Sequence, residues 1–147
     1  MKFYKIRALA LLYIVRFFAR ILFVEMVPIV SVAAIIRRGS DVLFVDLSYM
    51  KGVGLPGGIV QAGEDLEQAL RREVKEETGL ELVNCKYLGS VVSSTKGLAT
   101  LSVVFSVEVS GEMRPSREGA PVWLDPKEAL HRLSYDSNKI AIERYLN

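Results

Sequence analysis

The chain has 147 residues, half of them hydrophobic, one cysteine, and a net charge of +2 at neutral pH. That length suits a single fold with one core, and so apolar a composition excludes a disordered chain. A lone cysteine, Cys85, excludes an internal disulfide and a multi-cysteine zinc site. The charge is unevenly placed. Residues 1–30 hold Lys2, Lys5, Arg7, Arg16 and Arg20 against Glu25, a balance of +4, so the other 117 residues sum to −2.

The first element is expected to be a hydrophobic basic helix over residues 1–26, ahead of a domain over 27–147. Its longest unbroken apolar run, Ala8 to Val15, is far short of the ~20 residues a spanning helix needs. Arg16 and Arg20 would each cost roughly 2.5–3.5 kcal/mol near a bilayer centre. No small-residue cleavage site follows the run, so a signal peptide fits poorly. On a helical projection Lys2, Lys5, Arg16 and Arg20 fall within about 60° of one another. Two readings stay open: a helix lying on an anionic membrane, or one packed on its own domain or on a twin subunit in a homodimer.

After Pro28 the pattern turns to strands. Ile29 to Ile36 is a β-branched run, residues 37–40 form a hairpin turn, and Val42 to Leu47 returns. Gly52 to Gly63, with five glycines and Pro56, reads as a loop rather than a regular element. A helix follows, with Asp65 and Gln68 as a capping box and Gly79 as the residue that ends it in a left-handed conformation. Leu82 to Val92 is a strand bent at Gly89. Leu101, Val103, Phe105, Val107 and Val109 alternate with their neighbours as in a half-buried strand, ended by Gly111. Val122 to Leu124 is a short strand, Pro126 to Arg132 a short helix, and Ser137 to Leu146 a closing helix. Cys85 reads as a small buried hydrophobe, and His131, with no second His or Cys nearby, as a surface or cap residue. A mixed sheet packed between helices, an α/β fold, is expected.

Leu66, Ala69, Leu70 and Val74 give the box helix an apolar stripe. Beside it Glu73, Glu76 and Glu77 crowd together at i, i+3 and i+4, where like charges repel. A divalent cation relieves such crowding, and hard carboxylate oxygens suit Mg²⁺ or Mn²⁺. The alternative is a solvated acidic face paired by Arg71, Arg72 and Lys75.

The full stretch from Gly58 to Leu80, GIVQAGEDLEQALRREVKEETGL, meets every specified position of G-x5-E-x7-R-E-U-x-E-E-x-G-U with U aliphatic. It resembles the Nudix box, and Leu55-Pro56-Gly57 resembles the usual lead-in. The resemblance implies an α/β/α sandwich with a mixed β-sheet and a Mg²⁺-dependent hydrolase of nucleoside diphosphate derivatives, with Mn²⁺ as a substitute. It implies Glu73, Glu76, Glu77 and the Gly58 carbonyl as metal ligands, with Glu64 and Arg72 as supporting residues. A carboxylate must also take the proton from the attacking water. Residues 117–123 resemble the loop that carries an extra Glu in triphosphate-cleaving members, which makes Glu118 the candidate base, Glu76 the alternative and Glu112 a distant third.

The substrate expected first is a small-molecule (d)NTP, cleaved to a nucleoside monophosphate and pyrophosphate. ADP-ribose or another nucleotide sugar comes second, and a lipid-linked diphosphate met at the membrane is a further alternative. Asn138 stands where some members carry a base-reading Asn, although an N-terminal helix residue is the plainer reading. Tyr49 and Trp123 either stack on a base or fill the core. No basic stripe interleaved with aromatics follows the arm, so no specific nucleic-acid partner is expected. The expected location is cytoplasmic, with peripheral contact at the inner face of the membrane as the arm's contribution.

Overall fold

The computed structural model describes residues 28–47, 51–95 and 98–146. The helix expected over 1–26, and Tyr49, lie outside the described residues. Seven strands and three helices follow in the order β1 (Ile29–Arg38), β2 (Asp41–Leu47), β3 (Val53–Gly54), β4 (Gly57–Ile59), α1 (Leu66–Thr78), β5 (Glu81–Thr95), β6 (Leu98–Ser110), β7 (Gly119–Leu124), α2 (Pro126–Ala129) and α3 (Asp136–Tyr145).

β1 is the hub. It runs parallel to β6 from Ile29↔Thr100 to Ile36↔Val107 and antiparallel to β4, and its last residues pair with β2. β2 carries β3 and β7 on its edges, and β5 closes the other side against β6. The sheet is therefore mixed. Successive strand residues face opposite sides, which divides β1 between two cores. Val32, Ala34 and Ile36 join Ala69, Leu70 and Val74 of α1, while Ala33 and Ile35 join Phe44, Val53, Ala129 and Ile142 under α2 and α3. The result is the α/β/α sandwich expected. Each fully buried Leu, Ile or Phe contributes about 1.5–3 kcal/mol relative to exposure. Among the described residues no helix is long and apolar enough to cross a membrane.

Three details differ from the sequence expectation. The glycine-rich stretch 52–63 is not wholly irregular: Val53–Gly54 and Gly57–Ile59 are short strands, held by backbone pairing that leaves no hydrophobic period to read. β6 is not half-buried, because Ser102 and Val104 on its second face are buried too; the Ser102 hydroxyl is satisfied by Ser31 at 2.8 Å. The helix expected over 126–132 is a single turn ending at Ala129. The bend at Gly89 is present as a register shift between Tyr87 and Gly89. Cys85 is half-buried, with burial raising its thiol pKa, and His131 is exposed.

Candidate active site

The site is built on α1 and on the backbone of the strand-loop that precedes it. The Asp65 side chain accepts from Gln68 N–H at 2.8 Å, and the Gln68 side chain accepts from Asp65 N–H at 2.9 Å. This reciprocal cap fixes the start of the helix, at about 1 kcal/mol for such a cap. Gly79, at φ 77°, ends the helix and donates to Lys75 O. Between these ends Ala69, Leu70 and Val74 face the core, which fixes the rotation of the helix and so the direction of its glutamates.

Glu77 is 6 % exposed and Glu73 9 %, both unusual for carboxylates. Their common neighbour is the β4 backbone. Gly57 N–H donates to Glu77 Oε2 at 2.8 Å, and a Cβ built on Gly58 would lie 2.5 Å from Glu73 Oε1. Gly57 itself, at φ 152°, crosses β1 so closely that a Cβ there would strike the Val32 carbonyl. Glycine is therefore a steric requirement at 57, for the strand crossing, while at 58 it leaves room for the Glu73 carboxylate in its present position.

Arg72 holds the cluster in place. Its Nε and Nη2 donate to Glu64 at 2.6 and 3.0 Å, its Nη1 donates to Glu73 Oε1 at 2.6 Å and reaches Glu76 Oε2 at 3.3 Å, and Nη2 also donates to Ile59 O. Glu64 also accepts from Gln61 N–H at 2.9 Å, so both of its oxygens are fixed. These bonds hold the Glu64 carboxyl down to about 2, the Arg72 bond contributing most, and the Glu64 bond likewise keeps Arg72 protonated. Glu76, with its side chain 61 % exposed, points into solvent beside the cluster.

A fifth carboxylate arrives from the loop between β6 and β7. Arg114 N–H donates to Thr78 O at 2.8 Å, anchoring the chain after β6 to the end of α1. Ser116 then makes a tight turn: its N–H donates to Gly119 O, and its hydroxyl accepts from Glu118 N–H at 3.1 Å. The turn delivers Glu118 onto Glu77, to which it hydrogen-bonds. Burial pushes the Glu77 carboxyl up to about 8, with repulsion from Glu73 and Glu118 adding to it against the Gly57 N–H. Glu73 is raised as well, by burial first, with Arg72 opposing and Glu76 and Glu118 reinforcing.

The geometry thus brings together Glu64, Arg72, Glu73, Glu77, Glu118 and the Gly58 backbone, with Glu76 at the rim. Glu112 is exposed, and its carbonyl lies by Gly79 rather than in the cluster. Asn138 is buried in the first turn of α3, its amide nitrogen 3.4 Å from where a Cβ on Gly54 would stand, with the Tyr135 ring beside it. Gly54 is three residues before Gly57, so Asn138 borders the strand that leads into the site. Trp123 lies under the Arg38 guanidinium, 4.2 Å from the ring centroid, and packs on the α1 core; it fills the core. The Gly57 N–H and the Ser116 turn were missed in the sequence. The only hint of the second was Ser two residues before Glu, the spacing of a hydroxyl-capped turn.

The residues present fit a divalent cation. Two buried carboxylates whose pKa values burial raises, Glu118 against Glu77, and the close Gly58 backbone over Glu73 gather acidic groups whose mutual repulsion a divalent cation would relieve. Among the described residues no three acidic, His or Cys side chains form a ready-made cage, since Glu73 leans to Arg72 and Glu76 to solvent. Mg²⁺ is normally held by one or two carboxylates together with substrate phosphates, for which a closed cage is unnecessary.

Comparison with known proteins agrees with the fold and the motif. The NUDIX domain profile matches residues 27–145. The chain is 35 % identical over 121 residues to an ADP-ribose pyrophosphatase of Methanocaldococcus jannaschii, covering 77 % of this chain and 70 % of that one. It is 36 % identical over 91 residues to the NAD-capped RNA hydrolase NudC of Pseudomonas aeruginosa, covering 60 % of this chain but spanning about a third of that relative, 32 %. A solved NUDIX hydrolase from Nitrosomonas europaea superposes with a TM-score of 0.73 at 26 % identity, over 82 % of this chain and 89 % of that one. With the box complete from Gly58 to Leu80 and the fold matched along the domain, the chain belongs to the Nudix hydrolase family of pyrophosphohydrolases.

Proposed function

We propose that the chain hydrolyses a diphosphate linkage in a small nucleoside diphosphate derivative with Mg²⁺, a (d)NTP first, releasing a nucleoside monophosphate and pyrophosphate. The observation that carries this reading is the meeting of Glu73, Glu77 and Glu118 at the Gly57–Gly58 backbone. Glu73, Glu76, Glu77 and the Gly58 carbonyl are the ligands proposed for the ion, with Mn²⁺ able to replace it. When bound, a divalent cation neutralises charge on the phosphoryl oxygens and acidifies the attacking water. Glu118 takes the proton of that water as its oxygen bonds to phosphorus and the anhydride P–O bond breaks; Glu76, exposed at the rim, is the alternative base. Arg72 and Glu64 act through the ligands, holding Glu73 in its rotamer. Asn138 is proposed to read the base and Tyr49 to touch the substrate.

A second substrate reading is favoured by the Methanocaldococcus jannaschii relative, an ADP-ribose pyrophosphatase. Cleavage of ADP-ribose gives AMP and ribose 5-phosphate, so the products separate the two. The test is a Mg²⁺-dependent screen of nucleoside triphosphates, ADP-ribose and nucleotide sugars with product identification. Pyrophosphate release from a triphosphate, abolished by EDTA and with KM raised by Asn138→Ala, supports the first reading. Turnover confined to ADP-ribose replaces it with the second.

The proposed location is the cytoplasm. Peripheral contact of the N-terminal segment with the inner face of the membrane, packing on its own domain, or a homodimer through it are the arrangements its basic and apolar sequence allows.

A further inference from the structure

The face of the sheet covered by α1 continues past that helix as bare apolar surface. Val30 on β1 pairs with Leu101 on β6, and Leu101 pairs with Val92 on β5, one row across three neighbouring strands. Two residues further along, Val32 and Val103 are buried in the α1 core, so the strand period places the row on that same face. Burial ends here: Val92 is 70 % exposed and Val30 36 %. Tyr87, on this face by its pairing with Phe105, is 59 % exposed, and Leu66, opening α1, is 37 % exposed. Single exposed apolar residues are ordinary, but a continuous group marks something that covers it.

The surface sits where the first 27 residues join the domain, since Val30 is the second residue of β1. From β1 to β5 is two strand spacings, about 10 Å. A segment entering at Pro28 therefore reaches Val92 within a few residues, and Tyr87, opposite Phe105, lies about 13 Å further along the strands.

We infer that residues 1–27 dock on their own domain along the Val30–Leu101–Val92 row, toward Tyr87. Covalent attachment beside the row favours the chain's own segment over that of a second copy, because a short tether gives an effective concentration of about millimolar. The border of the row favours protein over anionic lipid. Ser90 and Ser94 flank Val92 on the same face of β5, and the Arg144 guanidinium at this edge donates to Ser90 O at 3.0 Å, whereas a lipid-docking face carries clustered free cations.

Limited trypsin digestion of the full chain at low micromolar concentration tests this, with cleavage after Arg16 and Arg20 followed by mass spectrometry. Docking predicts a monomer with slow cleavage at both sites. The double variant Val92→Lys, Tyr87→Lys should cleave about tenfold faster, since proteolysis follows the population of the open form, and hydrolase activity should be unchanged. Val92→Thr keeps the strand propensity and should raise the rate by a smaller factor, so a folding defect in the lysine variant does not decide the matter. Protection that scales with protein concentration would assign the row to a second copy. Fast cleavage slowed only by phosphatidylglycerol-containing vesicles would assign the segment to membrane. Equal rates in native and variant chains would remove the row from any role in docking; each of these three results overturns the inference.

Discussion

Gly57 N–H and Glu77 Oε2, twenty residues apart, meet at 2.8 Å. The bond joins the backbone of the strand-loop to the most buried carboxylate of the helix, and it fixes where the charge of the site accumulates. Glu77→Gln keeps the shape and can still accept this bond through its amide oxygen, but it removes the charge. Turnover should fall by roughly 10³-fold or more, about 4 kcal/mol of transition-state stabilisation, with the circular dichroism spectrum unchanged. Retained turnover would end the assignment of Glu77 as a metal ligand.

The two adjacent glycines should respond differently. A Cβ on Gly58 meets the end of the Glu73 side chain at 2.5 Å, which can swing away. Gly58→Ala is therefore expected to weaken Mg²⁺ binding while leaving Tm within a few degrees. A Cβ on Gly57 meets the Val32 carbonyl of the central strand, which cannot move. Gly57→Ala should lower stability by about 2–4 kcal/mol, the cost of backbone strain plus a displaced strand. Denaturant melts and metal titrations of the pair separate the two effects.

Arg72 grips Glu64 with two nitrogens and Glu73 with a third. Lysine offers one point charge in place of that planar fork. Arg72→Lys should reduce metal affinity by about 10- to 100-fold, as is usual for residues that orient ligands. Calorimetry in the presence of a non-hydrolysable nucleotide measures it.

Glu118 reaches Glu77 from the Ser116 turn. As the general base, its replacement by Gln should cost about 10²–10³-fold in turnover with little change in KM. If Glu76→Gln shows that loss and Glu118→Gln does not, the roles are reversed. Side-by-side single-turnover rates decide this.

Stability without metal should vary with pH in a defined direction. The folded Glu77 carboxyl binds its proton up to about 8, above the ordinary 4.5 of a glutamate. Its contribution is fully present below 4.5 and is lost as pH rises through 8, because over that window the unfolded chain has already given up the proton. Glu64, held down to about 2, acts oppositely in a lower window: its contribution is present above 4.5 and is lost as pH falls toward 2. Melts in EDTA should therefore decline from about pH 5 to pH 8.5, and Mg²⁺ should raise Tm most at the alkaline end, where the cation no longer competes with the proton. EDTA melts that rise over this interval would contradict the buried-carboxylate account.

Much of this was legible in the sequence, and what was not has a physical cause. The capping box, the left-handed Gly79, the apolar stripe of α1 and the acidic stripe beside it are local, periodic signals. β3 and β4 carry no such signal, because two or three glycine-rich residues joined to β2 and β1 by backbone alone leave no side-chain period. β6 reads as half-buried because Ser102 is polar, and only the Ser31 hydroxyl across the strand makes its burial tolerable. The contact of Glu118 with Glu77 spans forty-one positions and depends on how β7 docks on β2, which no local pattern specifies. Asn138 was recognisable as a helix-start residue, but its place beside Gly54 was not.

A divalent cation held at Glu73 and Glu77 is proposed to drive hydrolysis of a diphosphate linkage. The most direct measurement is hydrolysis of nucleoside triphosphates and ADP-ribose by the native chain and Glu77→Gln, each with Mg²⁺ and with EDTA, with products identified. A nucleoside monophosphate should be released only by the native chain and only with Mg²⁺. Turnover that survives EDTA, or that Glu77→Gln retains in full, would contradict it.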